Sequence, residues 1–182
     1  MVTNPVDIMP RLFAEVSGCN RVRNIGPSTD TARCRLILAR MAGVPTHAVE
    51  GHVIGEHGDR AVICASSPTI HGRPARIHVQ RVREELVARP GRIAAGIGRV
   101  RSGPAGATVA ALARVLGRTD GVIELSAPHE GGYLGMPLRF TAGRPTVCLP
   151  PLDSTESRDL AAAQTKPATA YTHLRITLEE RS

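Results

Sequence analysis

The sequence predicts an α+β domain with mostly antiparallel strands and packed helices. Segments with helical periodicity lie at the beginning, the middle and the end of the chain, and short apolar runs bounded by glycine and proline lie between them. Two of these runs are joined by a hairpin-like turn, which favours antiparallel pairing. A length of 182 residues is usual for one domain, so we expect residues 1–182 to form a single domain.

Two helices are expected near the start of the chain. Asp7 is placed to cap a helix over residues 8–16, which Gly18 would end. Asp30 is a good N-cap for a second helix with a broad apolar face, and residues 43–45 (Gly-Val-Pro) would end it.

The middle of the chain predicts strands followed by interrupted helices. Strand signals cover residues 48–54 and 60–65, on both sides of a glycine-bounded turn. Residues 79–87 have a helical pattern that Pro90 should end. The pattern over residues 93–116 is helical again, but several glycines interrupt it, so we expect a broken helix there.

The last third predicts strands and then a helix. Strands are expected over residues 121–126, 138–140 and 146–149. Residues 153–156 (Asp-Ser-Thr-Glu) resemble a capping box that starts a final helix, and Pro167 should break or kink that helix.

The charge of the chain raises the question of nucleic acid. The formal net charge is +7, and nearly all of the basic residues are arginine because Lys166 is the only lysine. The arginines are scattered along the sequence, however, and two Tyr, two Phe and no Trp leave few side chains for stacking bases. Composition therefore argues against nucleic-acid binding and favours a solvated basic surface.

The cysteines and the hydropathy pattern indicate the cellular location. The four cysteines have no CxxC spacing, and we expect them to be small core residues of a reducing compartment. No stretch approaches the ~20 apolar residues of a membrane span, and the N-terminus has no signal-peptide pattern. We therefore expect a cytoplasmic protein with no membrane contact.

The stretch Gly-His-Val-Ile-Gly-Glu-His-Gly-Asp at residues 51–59 is the strongest candidate for a chemical site. Its glycines allow a tight turn that would hold His57 at a strand end, where an imidazole beside a carboxylate exchanges protons near neutral pH. Asp30 can supply that carboxylate, and Arg33 follows three residues later. These groups would suit a small substrate that carries a carboxylate.

Each of these residues also has a plainer interpretation. His57 alone could be a loop histidine, Asp30 a helix cap and Arg33 a surface arginine, while Asn4 could be only a turn residue before proline. The remaining histidines have spacings that fit no ligand pattern, so no metal site is expected.

Three short motifs, which follow one another along the sequence, resemble those of a known protein family. Residues 4–9 (NPVDIM), 30–35 (DTARCR) and 55–59 (GEHGD) resemble the lactate/malate dehydrogenase family of NAD-dependent 2-hydroxyacid dehydrogenases. The resemblance covers essentially the whole chain, but only the C-terminal substrate domain of the family. It implies that residues 1–6 are a remnant of the last strand of a nucleotide-binding domain, which is absent together with its glycine-rich phosphate loop.

The resemblance also implies residue roles. His57 would accept the proton when the 2-hydroxyl is oxidised, and Asp30 would hold the imidazole and stabilise its protonated form. Arg33 would bind the substrate carboxylate with two parallel hydrogen bonds. Asn4 would hydrogen-bond near the nicotinamide and the substrate oxygen, with NAD as the cofactor if a nucleotide-binding domain is supplied.

Three functional hypotheses remain open at this point. The chain could be the catalytic half of a lactate or malate dehydrogenase that acts on a small 2-hydroxy or 2-keto acid and is inactive alone. It would then be either a truncated gene model or one part of a split enzyme whose Rossmann domain is a separate chain. It could instead be a degenerate, non-catalytic binding or oligomerisation module, and a nucleic-acid binder is the weakest hypothesis. We further expect a homo-oligomer, with an exposed apolar patch around Val2, Val6 and the first helix.

Overall fold

A computed structural model of the protein describes residues 1–99 and 101–180, and it confirms the α+β architecture. Helices span Met9–Ser17 (α1), Gly26–Ala42 (α2), Val79–Ile97 (α3), Ser102–Val115 (α4), Ser154–Ala163 (α5) and Thr165–Glu179 (α6). Strands span Val49–Glu50 (β1), Val53–Gly55 (β2), Ala61–Ile63 (β3), Thr69–Ile70 (β4), Arg73–Pro74 (β5), Gly121–His129 (β6), Gly132–Thr141 (β7) and Arg144–Val147 (β8).

The strands form two antiparallel sheets. The larger sheet has the order β3-β2-β7-β6, and β8 pairs with the C-terminal part of β7. The smaller sheet has the order β1-β4-β5. Strand β2 joins β7 through the pairing of Gly55 with Gly135. Gly55 lies just before the turn that carries His57.

Helix α2 lies against the larger sheet and fixes the position of the candidate site. Its buried side chains Cys34, Ile37 and Leu38 pack with residues of β1, β2, β3 and α3 in one of two core clusters. The start of α2 makes an unusually close approach to the sheet, because a Cβ atom built on Gly135 would lie 2.8 Å from Cγ of Pro27. Glycine at this position therefore allows the helix to begin directly above the sheet.

The predicted caps of the first two helices are wrong. Helix α1 has no side-chain cap, because Asp7 directs a carboxylate oxygen to the backbone of His57 instead. Helix α2 begins at Gly26, so Asp30 lies inside the helix and does not cap it. The reason is that Pro27 suits the first turn of a helix, where its missing N–H has no partner to lose. Both predicted C-terminal stops, Gly18 and Gly43, are confirmed.

Helix α3 continues through Pro90 to Ile97, which corrects the predicted end before that proline. The fully buried Val82 and the partly buried Leu86 pack against the core on the near side of Pro90, and this packing offsets the backbone hydrogen bond that proline removes. The predicted strand over 48–54 is also wrong in detail, since it divides into β1 and β2.

The last strands are present but have other bounds than predicted, since β7 spans Gly132–Thr141 and not only residues 138–140. Three other features agree with the predictions. The helical pattern over 93–116 is broken, with α3 ending at Ile97 and α4 beginning at Ser102. The capping box of Asp153 and Glu156 is present at the start of α5. A new helix, α6, starts two residues before Pro167, as expected for a proline in a first turn.

The surface carries exposed apolar side chains near the N-terminus. Val2 is 57% exposed and Phe13 and Val16 of α1 are also exposed, whereas Val6 is buried, so the expected patch does not include Val6. Cys34 and Cys64 are buried as expected for core residues, whereas Cys19 and Cys148 are only partly buried, so the expectation is wrong for these two. All four are free thiols. None of the helices in the described residues combines the length and the apolarity needed to cross a membrane.

Candidate functional site

The turn between β2 and β3 presents His57 at the edge of the larger sheet. The carboxylate of Glu56 is folded back into this turn, and its Oε2 atom accepts the backbone N–H of Arg60 at 3.0 Å. A Cβ atom on Gly58 would lie 2.9 Å from Oε1 of Glu56, so a side chain at that position would force the carboxylate to shift. The turn is therefore held by local contacts as well as by the strands.

The structure brings three of the predicted site residues together. Nδ1 of His57 lies 2.5 Å from Oδ2 of Asp30. Nη1 of Arg33 donates to Oδ1 of the same carboxylate at 3.3 Å, from one turn further along α2. Both Asp30 and Arg33 have side chains that are only 15% exposed. One aspartate thus contacts both the imidazole and the guanidinium.

The electrostatic surroundings favour a proton on His57. Burial alone would lower the pKa of this imidazole, but the hydrogen bond with Asp30 and the negative charges of Asp30 and Asp7 outweigh burial, while Arg33 opposes them. The net result is that the pKa of His57 is raised above its ordinary value. The Nε2 atom has no hydrogen-bond partner within residues 1–99 and 101–180, so it is free to face a substrate.

Asp7 is a member of this cluster that sequence reasoning missed. Its Oδ2 atom accepts the backbone N–H of His57 at 2.8 Å. Sequence-based capping rules consider only the residues next to Asp7, and they cannot detect a partner 50 residues away. The one available signal was the position of Asp7 inside the first of the three motifs.

Lys166 also reaches the site from a distant part of the chain. Its Nζ atom lies 2.7 Å from Oε1 of the buried Glu56 and also contacts the carboxylate of Asp59. The single lysine of the chain therefore links α6 to the His57 turn. No local pattern around Lys166 indicated this contact.

A small cavity of about 240 Å³ opens beside His57. Its polar wall includes His57, Asp30 and Arg33, and its apolar wall comes from Leu86 and Val87 of α3. A compact organic acid matches a space that offers one guanidinium, one imidazole and an apolar side. The remaining lining residues are Gly58, Asp59, Ala61 and Pro90.

Asn4, the fourth predicted site residue, is not part of this hydrogen-bonded cluster. It is exposed in the turn before α1, and it makes no hydrogen bond with His57, Asp30 or Arg33. In the part of the chain that the structure describes, no three His, Cys, Asp or Glu side chains are arranged to hold a metal ion.

Known proteins with similar sequences are hydroxyacid dehydrogenases. The chain is 33% identical over 134 residues to a malate dehydrogenase of Sulfolobus acidocaldarius, a match that covers 71% of this chain and 44% of that protein. It is 30% identical over 146 residues to an L-lactate dehydrogenase of Lactobacillus delbrueckii, which covers 71% of this chain and 45% of the relative. The chain therefore spans about half the length of the relatives it matches, and no family model matches it.

Similar folds occur among solved structures. The malate dehydrogenase of Salinibacter ruber matches 100% of this chain and 64% of its own length, with a TM-score of 0.88 and 24% identity. The malate dehydrogenase of Cryptosporidium parvum matches 96% of this chain and 62% of its own length, with a TM-score of 0.86 and 25% identity. These likenesses agree with the antiparallel sheets and packed helices described above.

Proposed function

The chain belongs to the lactate/malate dehydrogenase family, whose members it matches over their C-terminal part, and from that premise we propose that it is the substrate-binding and proton-transferring half of a 2-hydroxyacid dehydrogenase. The single observation that carries this proposal is the arrangement of His57, Asp30 and Arg33 around one cavity. The substrate would be a small 2-hydroxy acid, or the matching 2-keto acid in the reverse direction.

In this proposal His57 accepts the proton of the substrate's 2-hydroxyl. Asp30 takes a hydrogen bond from Nδ1, which leaves the lone pair of the neutral imidazole on Nε2, the atom without a partner. When Nε2 takes the proton, the carboxylates of Asp30 and Asp7 stabilise the imidazolium, and the raised pKa of His57 supports this role. In the reverse direction the same atom returns the proton to the forming hydroxyl.

Arg33 binds the substrate carboxylate. It uses Nη1 for Asp30, which leaves further donors of the planar guanidinium for two parallel hydrogen bonds to a second carboxylate. With its carboxylate on Arg33 and its hydroxyl at His57, the substrate has its third substituent near Leu86 and Val87. A lysine in place of Arg33 would keep the charge but lose the paired geometry.

The described residues fit only one end of an NAD cofactor. His57 with its free Nε2 and the exposed amide of Asn4 suit the reacting nicotinamide ring, as the family resemblance implies. Within residues 1–99 and 101–180, no glycine-rich turn between a strand and a helix offers backbone N–H groups to a pyrophosphate. When bound, NAD supplies the hydride acceptor.

The experiment that tests this function is a complementation assay. NADH oxidation is followed with pyruvate and with oxaloacetate, for the purified chain alone and after addition of a nucleotide-binding domain from a relative. We expect no turnover by the chain alone, turnover in the mixture, and its loss by at least about 100-fold with His57→Asn. Absence of turnover with both substrates in every mixture would eliminate the enzymatic function for this polypeptide.

The exposed apolar side chains favour a second candidate, a non-catalytic binding or oligomerisation module. Val2, Phe13 and Val16 are exposed near the N-terminus, and Val109 and Leu112 are exposed on α4. Sedimentation and the turnover assay of the unsubstituted chain together discriminate between the two functions. A module assembles but supports no turnover in any mixture, whereas the enzyme turns over in the mixture and loses that turnover in His57→Asn.

A further inference from the structure

Asp7 is a buried carboxylate with one satisfied oxygen and one unpaired oxygen. The residue is 7% exposed, its Oδ2 atom accepts the N–H of His57, and its Oδ1 atom has no hydrogen-bond partner in the described part of the chain. Burying a half-paired carboxylate is unfavourable for folding. The presence of an aspartate here therefore calls for a role other than stabilising the fold.

The charges around Asp7 come from the turn between β2 and β3, from α2 and from α6. Burial is the main reason that the pKa of Asp7 is raised to about 6, and the negative charges of Glu56 and Asp30 add to it. The hydrogen bond from the His57 backbone and the charge of its imidazole act in the opposite direction. Asp30 is itself paired with Arg33, and Glu56 is paired with Lys166. His57 is thus the cation whose charge acts on Asp7, while its backbone N–H donates to the Asp7 carboxylate.

We propose that Asp7 is a positioning residue for His57, which fixes the backbone of the turn through Oδ2 and supplies a negative charge that favours the protonated imidazole. This inference rests on the proposed function, because the protonated imidazole is the state that follows proton transfer. Two carboxylates then hold His57 at separate points, with Asp30 on the ring and Asp7 on the main chain.

The packing beside Asp7 supports a positioning role. A Cβ atom built on Gly26 would lie 2.6 Å from Cγ2 of Val6 and 3.3 Å from Cγ of His57, so these three residues meet at one point. Val6 is buried, and it holds the segment that carries Asp7 against the start of α2. The backbone that carries Asp7 is therefore fixed beside His57 by the packing of Val6.

Two variants separate the charge of Asp7 from its hydrogen bond. Asp7→Asn keeps a side-chain oxygen that can accept the N–H of His57 but removes the charge, whereas Asp7→Ala removes both. Asp120→Asn is a matched control, because Asp120 also accepts a backbone N–H, from Ala142 at 2.9 Å, in an exposed turn away from the site. Nuclear magnetic resonance of the whole chain measures the titration of His57, assigned with His57→Asn, and the hydrogen exchange of its amide.

The pKa of His57 should fall in both Asp7 variants and stay unchanged in Asp120→Asn. Amide exchange at His57 should become faster by about tenfold in Asp7→Ala, while Asp7→Asn stays near the unsubstituted chain. A His57 titration in Asp7→Asn identical to that of the unsubstituted chain would overturn the proposal, and this variant decides alone if Asp7→Ala does not fold. Neither measurement needs turnover, so the result is independent of the dehydrogenase assay.

Discussion

Asp30 joins the two other functional groups of the site through the two oxygens of one carboxylate, with His57 at 2.5 Å and Arg33 at 3.3 Å. Asp30 and Arg33 lie one turn apart on α2, so their arrangement is fixed locally by the helix. Only His57 comes from a distant part of the sequence, on the turn between β2 and β3. These three groups are thus brought together by one long-range contact between a strand turn and a helix.

Replacing Asp30 with asparagine should lower the pKa of His57. The substitution removes the charge and the ionic hydrogen bond that raise this pKa, and it leaves the burial that lowers it. A raised histidine pKa stabilises the folded chain below the unfolded pKa, and this contribution is lost as pH rises through the folded pKa. Asp30→Asn should therefore lose stability mainly in acid, which denaturant unfolding at pH 5.5 and pH 9 measures.

The comparison between pH 5.5 and pH 9 also defines the result that would contradict this prediction. Asp120→Asn is the control, because it removes an exposed carboxylate that accepts a backbone N–H. It should change the free energy of unfolding by the same amount at both pH values. An equal loss of stability at pH 5.5 and pH 9 in Asp30→Asn would mean that the His57–Asp30 pair does not carry the pH dependence.

The ionisation of Asp7 should destabilise the fold at neutral pH. Its pKa is raised from 3.8 in the unfolded chain to about 6 in the folded chain. The protonated carboxyl therefore contributes to the free energy of unfolding below the unfolded pKa, and this contribution is lost as pH rises through the folded pKa. A shift of this size corresponds to about 3 kcal/mol. Asp7→Asn should therefore become more stable relative to the unsubstituted chain between pH 4 and pH 8, as urea unfolding measures. A variant whose stability relative to the unsubstituted chain is lower at pH 8 than at pH 4 would contradict this sign.

Gly26→Ala should disturb both the fold and the site. The added Cβ atom would lie 2.6 Å and 2.8 Å from the two γ carbons of the buried Val6, which has little room to move. We expect a loss of about 1–3 kcal/mol in the free energy of unfolding. Gly91→Ala in α3 is the matched control, because a Cβ atom there meets nothing within 4 Å, and it should stabilise the helix by about 0.5–1 kcal/mol. Equal effects of both substitutions would exclude a close contact at Gly26.

The sequence predicted the parts of the fold and site that depend on short-range patterns. The three motifs identified His57, Asp30 and Arg33, which lie together in the structure, although their roles stay predictions until they are tested. Asp7 and Lys166 could not be assigned, because each acts on a partner at least 50 residues away. Capping rules consider only neighbouring residues, and tertiary contacts override them.

Glu156 should be the main link between the C-terminal helices and the end of β3. Its buried carboxylate accepts the backbone N–H groups of Ala65 at 2.6 Å and Ser66 at 2.9 Å, the hydroxyl of Ser66, and the N–H of Asp153 in the capping box. Glu156→Ala removes the acceptor of three backbone N–H groups, while the hydroxyl of Ser66 keeps the carbonyl oxygen of Pro151. We expect a loss of about 3 kcal/mol or more in the free energy of unfolding.

Asp153→Ala distinguishes the contacts between Glu156 and residues 65–66 from the cap of α5. This variant removes the side chain that caps α5 but leaves the contacts between Glu156 and residues 65–66, so it should cost only about 1 kcal/mol. Hydrogen exchange at Ala65 and Ser66 should become faster in Glu156→Ala and remain slow in Asp153→Ala. If both variants accelerate exchange at these two amides equally, the buried carboxylate acts only through the cap, and the direct link to β3 contributes nothing measurable.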